Sequence, residues 1–393
     1  MIPVQKTDVA IKQMKYLTTI RVSIILRPAI VTMLLLIPIM ILGQQAEGTQ
    51  EEDKFTWTDI QELGIRGKGW MDDPLLYNRL PAKAESKVRD DVWDLSHHTS
   101  GFYVQFKTSA TSIKGHWKLT NKNLAFPHMA ATGVSGLDLY VKMEDGTWRW
   151  LGMGKPDSIE STFMLVEGIS EASREYLLYL PLYNGIEFVK IGVSPAFKVE
   201  PVPSDKGKPI VFYGTSITQG GCASRPGMCS TAILGRRLNQ EIINLGFSGN
   251  GRMEPEVAEL LAELDPLVYF IDCLPNLMPD DVAERVEPFV NILRAAHPET
   301  PIVLAEGITY NNAFLVESNA IENAHSSQAL RKAYENLLNQ GTRHLYYQIA
   351  EGQLGFDGEG TVDGVHPTDL GFYWQAGVYQ LTLENIIKGI INE

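Results

Sequence analysis

Hydrophobic and polar residues alternate in short runs through the first half of the chain, from about Phe55 to Val199. Alternation with a period of two is the pattern of a strand that buries one of its faces. Asp145-Gly146 lies between two such runs and is typical of a tight hairpin turn. The predicted strands lie in GFYVQFKTSA, SIKGHWKLT, GLDLYVKM, WRWLGMG, YLLYLPLY and FVKIGVS. Short, evenly spaced strands joined by turns predict an all-β sandwich.

A second pattern begins after the proline-rich segment 201–209, PVPSDKGKP. Short apolar runs, which predict buried strands, alternate with longer segments of helical periodicity. The strands are predicted in IVFYG, EIINLGFSG, PLVYFIDC, PIVLAEG and HLYYQI, and the helices in STAILGRRLN, EPEVAELLAEL, PDDVAERVEPFVNILRAAH, residues 320–340 and the segment after Asp369. Such alternation predicts a parallel sheet with helices on both faces, which binds ligands at the carboxyl ends of its strands. We therefore predict a β-sandwich domain over 46–202 and an α/β domain over 203–393.

The N-terminal segment 1–45 carries the pattern of a secretory leader. Lys12, Lys15, Arg21 and Arg27 precede an apolar run over 29–42, and small and polar residues follow that run. The run has about 14 residues, and a membrane-spanning helix needs about 20. We expect export to the periplasm, the cell surface or the medium, with no stable membrane partner after cleavage. The alternative is an uncleaved membrane anchor.

The charge and the cysteine content narrow the function classes. A net charge of −13 argues against a nucleic-acid partner. Three cysteines are too few for a disulfide scaffold, although Cys222 and Cys229 could pair or remain free thiols. Neither Cys-x-x-Cys nor His-x-x-x-His spacing occurs, so no metal site is predicted. No cofactor is predicted either.

The segment GTSITQGG places Ser216 just after a predicted buried strand. A phosphate-binding loop would need a lysine after the last glycine, but Cys222 and Ala223 follow Gly221. Two interpretations of this segment remain: Ser216 is a nucleophile at the end of a strand, or the segment is a simple turn. A nucleophile needs a base and an orienting acid, and DGVHP supplies His366 with Asp363 three residues earlier.

Acyl transfer also needs hydrogen-bond donors for the oxyanion. Gly249 in NLGFSGNG follows the second strand of the α/β half, and Asn276 in DCLPNL follows the third. Each residue alone is better explained as a turn residue. Their order along the chain, with the serine turn before them and Asp-x-x-His after them, favours a hydrolytic site.

This order of four blocks resembles that of the SGNH (GDSL-type) hydrolase family. The resemblance implies Ser216, Asp363 and His366 as the catalytic residues, and Ser216, Gly249 and Asn276 as the oxyanion hole. It also implies a three-layer, flavodoxin-like α/β fold. The segments GLDLYVK and GGCASRPGM further resemble two-domain bacterial members with an N-terminal jelly-roll-like sandwich. The third block departs from the usual Gly-x-Asn-Asp, because its flanking residues are Leu274 and Leu277.

The resemblance implies metal-free hydrolysis of acyl esters, chiefly acetyl esters, through an acyl-serine. A small-molecule or oligosaccharide ester is the implied substrate. Alternatives are an acyltransferase with the same triad and a carbohydrate-binding protein with an inactive hydrolase fold. Arg225 could hold a polar substrate or fix its loop. His97, His98, Trp148 and Trp150 are further possible sugar contacts, although aromatic residues of a sandwich are more often core.

Overall fold

The computed structural model describes residues 54–204 and 207–392. The predicted leader over 1–45 lies outside these residues. The boundary between 202 and 203 stays a prediction.

The first half of the described chain is built from antiparallel strands. They are β1 (Thr56–Asp59), β2 (Ile65–Arg66), β3 (Tyr103–Thr108), β4 (Ser112–Leu119), β5 (Leu137–Lys142), β6 (Trp148–Gly154), β7 (Glu160–Glu167), β8 (Arg174–Tyr179), β9 (Ile186–Val193) and β10 (Glu200–Pro201), with two helices, α1 (Asp90–Ser96) and α2 (Ala131–Val134). One sheet has the order β1-β9-β4-β7, and the other has the order β10-β3-β8-β5-β6, with β2 beside β3. The all-β prediction for this half is confirmed.

The sandwich core follows from the alternating pattern. Every second residue of β4 is buried, and Trp117 on this strand is fully enclosed. Phe106 of β3 and Tyr176 of β8 stack with their ring centroids 5.3 Å apart. The sequence pattern did not predict β1, β2, β7, β10, α1 and α2, most of which are short.

The second half contains a parallel sheet. Its strands are β11 (Ile210–Gly214), β12 (Ile242–Gly246), β13 (Val268–Asp272), β14 (Ile302–Ala305) and β15 (Leu345–Gln348), and its helices are α3 (Ser216–Gln219), α4 (Ser230–Leu238), α5 (Pro255–Leu261), α6 (Pro279–Ala296), α7 (Glu317–Asn339) and α8 (Asp369–Asn392). Short 3-10 helices cover Ile60–Leu63 and Ala82–Ala84 in the first half of the chain, and Pro226–Met228 and Leu274–Asn276 in the second half. The strand order is β12-β11-β13-β14-β15. The predicted three-layer α/β fold is confirmed.

Both faces of the parallel sheet are buried, which explains its continuous apolar strands. On β11, Val211 and Tyr213 belong to the core under α5, α6 and α7. Ile210 and Phe212 belong to a second core, under α4 and α8. Sandwich residues, including Tyr179, share that second core. The sandwich therefore packs directly against one helical layer of the α/β half.

The carboxyl ends of three adjacent strands, β12, β11 and β13, are aligned in register. Gly214 pairs with Gly246 on one side and with Asp272 on the other. The loops after β11, β12 and β13 consequently open at one edge of the sheet. None of the helices in the described part of the chain has both the length and the apolar character needed to cross a bilayer.

Asp272 at this edge carries a buried carboxyl group whose pKa burial raises to about 6, while hydrogen bonds from Tyr379 and Thr218 oppose the rise. The folded state then holds this proton more tightly than the unfolded state, so stability falls as pH rises from about 4 to about 6. For Asp272→Asn, which cannot ionise, we expect that loss to disappear. The unfolding free energy of the parent should fall by about 2 kcal/mol relative to the variant between pH 4 and pH 7.

Urea unfolding of both proteins across that pH range measures this difference. A difference between the two proteins that stays constant with pH would contradict the assignment of a raised pKa to Asp272.

Candidate active site

Ser216 lies at the first position of α3, directly after β11 and the N-cap residue Thr215. The Thr215 hydroxyl accepts a hydrogen bond from the Ile217 N–H at 3.2 Å, which fixes the start of the helix. The first N–H groups of a helix have no partner within the helix. Ser216 is largely buried, with 9% of the residue exposed. Its carbonyl oxygen accepts a hydrogen bond from the hydroxyl of Tyr183 at 3.0 Å.

The turn that carries Ser216 (the serine turn) contacts the end of β12 backbone to backbone. The end of β12 leads into the loop that carries Gly249 (the glycine turn). A Cβ atom on Gly246 would lie 2.2 Å from the backbone nitrogen of Gln219, which is far too close. Only glycine permits β12 to end this near to α3. This approach brings the loop that carries Gly249 next to the loop that carries Ser216.

His366 and Asp363 are presented by a tight loop between β15 and α8. The loop closes with a bridge between Thr361 and Pro367, and Gly364 adopts a φ of +93°. The Asp363 carboxylate accepts hydrogen bonds from the backbone N–H groups of Val365 at 3.0 Å and of His366 at 2.8 Å. This is a turn stabilised by an aspartate side chain. It aims the imidazole and its partner carboxylate from one short segment.

The three side chains form a continuous hydrogen-bonded chain. Ser216 Oγ lies 2.9 Å from His366 Nε2, and His366 Nδ1 lies 2.8 Å from Asp363 Oδ2. Partial burial alone would raise the pKa of Asp363, but the hydrogen bonds from His366 and Val365 outweigh it and lower this pKa overall. Asp363 therefore stays ionised and keeps a proton on Nδ1, which leaves the lone pair of Nε2 facing the serine hydroxyl.

Gly249 and Asn276 occupy the two neighbouring loops. Gly249 has a φ of +69°, which favours glycine, and a Cβ atom there would meet open space. The Asn276 amide is assigned so that its oxygen accepts hydrogen bonds from the N–H groups of Asn250 at 3.2 Å and Gly251 at 3.3 Å. These bonds attach Asn276 to the Gly249 loop and direct its NH₂ group away from that loop. The structure thus places all the predicted site residues at one edge of the sheet.

A cleft of about 470 Å³ opens beside His366 and is walled by both halves of the chain. Its lining consists of Asp91, Asp94, Leu95, His98, Phe126, His128, Met129 and Tyr183 from the sandwich half, and Ser248, Asn250 and His366 from the α/β half. The cleft is within the size range of small-molecule sites. The sandwich therefore forms most of one wall of the site.

Comparison with known proteins agrees with this arrangement. The family model described as "GDSL-like Lipase/Acylhydrolase family" matches residues 207–384, and the model described as "N-terminus of Esterase_SGNH_hydro-type" matches residues 55–199. The crystal structure of a GDSL-like lipase from Bacteroides ovatus is 34% identical in sequence. The structural match covers 85% of this chain and 98% of the Bacteroides ovatus chain, with a TM-score of 0.82. The chain belongs to the GDSL-like lipase/acylhydrolase family. It is a carboxylic ester hydrolase.

More distant structures share the fold of this hydrolase. A salicylyl-acyltransferase from a tetracycline biosynthetic pathway, SsfX3, is 18% identical over 85% of this chain and 98% of its own, with a TM-score of 0.66. A family two carbohydrate esterase from Clostridium thermocellum, in complex with cellohexaose, is 16% identical over 74% and 93%, with a TM-score of 0.53. None of the curated proteins compared with the hydrolase matches it.

Gln219 links three parts of the hydrolase site, a role that the sequence analysis missed. Its side-chain oxygen accepts a hydrogen bond from the Ser248 N–H at 3.0 Å, in the glycine turn. Its NH₂ group lies 3.0 Å from His98 Nδ1, in the sandwich wall. Gln219 belongs to the serine block GTSITQG, but no rule of sequence spacing connects it to His98, which lies more than a hundred residues away.

His98, which lines the cleft, is a neutral imidazole. Burial, together with the nearby Arg79 and His97, lowers the pKa of His98 to about 3. The amide of Gln219 donates to Nδ1, so the proton is on Nε2, and the ring can donate but cannot act as a base in this tautomer. His97, in contrast, packs edge-on against Trp93 and does not line the cleft.

Arg225 of the hydrolase fixes its loop to the sandwich and does not line the cleft. Its Nη1 donates to Asp138 Oδ2 at 2.8 Å and also to the Tyr140 hydroxyl. The backbone N–H of Gly227 donates to the same carboxylate oxygen at 2.8 Å, and Trp150 Nε1 donates to Oδ1 at 2.9 Å. Asp138 and Tyr140 belong to the segment GLDLY. We call these five residues the Asp138 clamp.

Asp138→Asn should weaken the Asp138 clamp strongly, because an amide cannot accept all three of these hydrogen bonds. The Asp138 side chain is fully buried and that of Arg225 is 20% exposed. Removing one partner of a buried ion pair costs about 3 kcal/mol or more. We expect a loss of about 3 kcal/mol in the unfolding free energy, measured by urea unfolding.

Glu187→Gln is the matched control, since it breaks the exposed Lys118–Glu187 pair. Such surface pairs contribute less than about 1 kcal/mol. Equal losses in the two variants would show that the Asp138 clamp is only another surface contact.

Proposed function

We propose that this hydrolase cleaves acetyl and other short acyl esters on carbohydrates through an acyl-Ser216 intermediate. The observation that carries the proposal is the chain of two short hydrogen bonds from Ser216 Oγ through His366 to Asp363, at 2.9 Å and 2.8 Å. A serine, a histidine and a carboxylate in this order are the arrangement that activates a hydroxyl group.

In the first half of the reaction, Ser216 Oγ forms a bond to the ester carbonyl carbon, and its proton moves to His366 Nε2. Asp363 accepts the hydrogen bond from Nδ1 and stabilises the imidazolium. The tetrahedral intermediate collapses when the bond to the alcohol oxygen breaks. His366 returns the proton to that oxygen, and the alcohol leaves.

The negative oxygen of the intermediate needs donors that are in place before it forms. The N–H group of Ser216 at the start of α3, the N–H group of Gly249 and the NH₂ group of Asn276 are the proposed donors. The hydrogen bonds from Asn250 and Gly251 to the Asn276 oxygen support this role, because they orient the amide before substrate binds. Loss of one such donor usually costs about 100- to 1000-fold in rate.

In the second half, water attacks the acyl-serine, and His366 serves again as base and then as acid. The products are the free acid and Ser216. An alcohol in place of water would make the enzyme an acyltransferase. The acyltransferase that shares the fold makes this a reasonable second candidate, and product analysis separates the two reactions.

The cleft supports a polar, uncharged or cationic alcohol as the leaving group. Asp91 and Asp94 supply carboxylates at its wall, and the neutral His98 supplies a ring N–H. Phe126 is 40% exposed in the same wall and offers an aromatic surface. Hydroxyl groups of a sugar can bond to the carboxylates while a sugar ring packs against Phe126. Acetylated carbohydrates fit this combination.

The test is a comparison of substrates. We expect p-nitrophenyl acetate to be hydrolysed faster than the butyrate, octanoate and laurate esters, and acetylated oligosaccharides to release acetate. Addition of a sugar alcohol as acceptor should leave acetate as the main product. Faster cleavage of laurate would overturn the short-acyl proposal, and accumulation of an acetylated acceptor would favour the acyltransferase.

A further inference from the structure

Three side chains with soft donor atoms meet beside the hydrolase triad. They are His128 from the loop that precedes α2, Cys222 from the loop after α3, and His366. One ligand atom from each lies within 4.8 Å of the other two. The rings of His128 and His366 have centroids 5.9 Å apart. The proposed mechanism uses neither His128 nor Cys222.

The donor set and spacing suit a zinc ion. Zinc binds histidine nitrogen at about 2.0 Å and cysteine sulfur at about 2.3 Å, so ligand atoms in a tetrahedral site lie about 3.3 to 3.8 Å apart. The three donors here lie within 4.8 Å of one another, so they need to close by at most about 1.5 Å. His128 is exposed, while Cys222 is buried at 9% exposure. One coordination position would remain open for water.

His366 is already oriented as a metal ligand. Its Nδ1 bonds to Asp363 at 2.8 Å, which leaves the Nε2 lone pair as its donor atom. Histidines that bind metals usually donate their other ring N–H to a carboxylate in this way. The same lone pair must accept the proton of Ser216 during catalysis, so one imidazole cannot serve both purposes at once.

Cys222 contributes a thiol and not a preformed thiolate. Burial, and then the charge of Asp363, raise the pKa of Cys222 to about 12. A metal ion must therefore displace the thiol proton when it binds.

We propose that His128, Cys222 and His366 form a binding site for Zn²⁺ and similar soft divalent cations, and that the bound ion reversibly inhibits the esterase by coordinating His366. The inhibitory half of this inference rests on the proposed function, but the binding half does not. Sequence spacing does not predict this site, because its three ligands are far apart along the chain and match no metal-binding spacing.

Cd²⁺ titration of the whole protein tests binding without any need for activity. A cadmium–thiolate bond gives an ultraviolet charge-transfer band. We expect this band in the parent and in Cys229→Ser, and we expect no band in Cys222→Ser. Cys229 is the matched control, since it is also a buried free thiol. Absence of the band in the parent, or its persistence in Cys222→Ser, would overturn the proposed site.

His128→Ala provides a second, independent variant. His128 is exposed, so its replacement threatens the fold less than that of Cys222. The affinity for Cd²⁺ should fall at least tenfold. An unchanged affinity would remove His128 from the site, even if Cys222→Ser proved unable to fold.

The inhibitory half is tested by hydrolysis of p-nitrophenyl acetate in increasing Zn²⁺, with each protein compared with its own metal-free rate. The parent and Cys229→Ser should lose activity and regain it with a chelator. Cys222→Ser should need at least tenfold more Zn²⁺ for the same loss. Cadmium binding at Cys222 without inhibition of an active parent would disprove the inhibitory half. A parent without esterase activity would instead count against the proposed function, and the cadmium band would still decide the binding half.

Discussion

Ser216→Ala should lower kcat/KM for p-nitrophenyl acetate by about 10⁴-fold or more, because it removes the atom that forms the acyl bond. The substitution deletes one hydroxyl, which is hydrogen-bonded to His366 Nε2. The backbone contacts that hold the serine turn, including the bond from the Tyr183 hydroxyl to the Ser216 carbonyl, do not involve that side chain. The fold should therefore be unaffected.

Two controls accompany this variant. Ser173→Ala, on the exposed surface of the sandwich, should retain the parental rate. Thermal unfolding should show Ser216→Ala to be as stable as the parent. Turnover within tenfold of the parent, from a folded Ser216→Ala sample, would show that the nucleophile is a different residue.

Asp363→Asn should lower kcat by about 10⁴-fold with little change in KM, because it puts His366 into the wrong tautomer. The asparagine oxygen can still accept the backbone N–H groups of Val365 and His366, as Asp363 Oδ1 does. Its NH₂ group would then face Nδ1, where the carboxylate accepts a bond at 2.8 Å in the parent. Nδ1 would become the acceptor, and the proton on Nε2 would block the approach of the serine hydroxyl.

The division between kcat and KM separates this role from a structural one. A merely structural Asp363 would give a variant with lower thermal stability and a proportionate loss of active protein. A folded Asp363→Asn variant with a kcat within tenfold of the parent would contradict the orienting role of the carboxylate.

The overall architecture could be predicted from local patterns because each half buries its residues in a regular way. The period-two burial of β4 predicts a half-buried strand, and the continuous burial of β11 predicts a strand of a parallel sheet. The meeting of Ser216 and His366 could be anticipated for a similar reason. Parallel strands end at one edge, so Ser216 and His366 could be expected to meet there even though 150 residues separate them.

The connections between the two halves could not be predicted, because they depend on three-dimensional packing and not on periodicity. Gln219 meets His98, and Arg225 meets Asp138, across long separations in the sequence. The sequence analysis named Trp150 as a possible sugar contact, but its ring N–H donates a hydrogen bond to Asp138 in the Asp138 clamp. Residues of this kind have ordinary local contexts, and only the folded arrangement assigns them a role.

The most direct test of the account is to trap the acyl-enzyme. The parent is mixed with p-nitrophenyl acetate, quenched in acid and digested, and the peptides are analysed by mass spectrometry. We predict one acetyl group on the peptide that contains Ser216, more of it in Asp363→Asn if deacylation slows further than acylation, and none in Ser216→Ala. An acetyl group on any other residue of an active sample, or its persistence in Ser216→Ala, would contradict catalysis through Ser216.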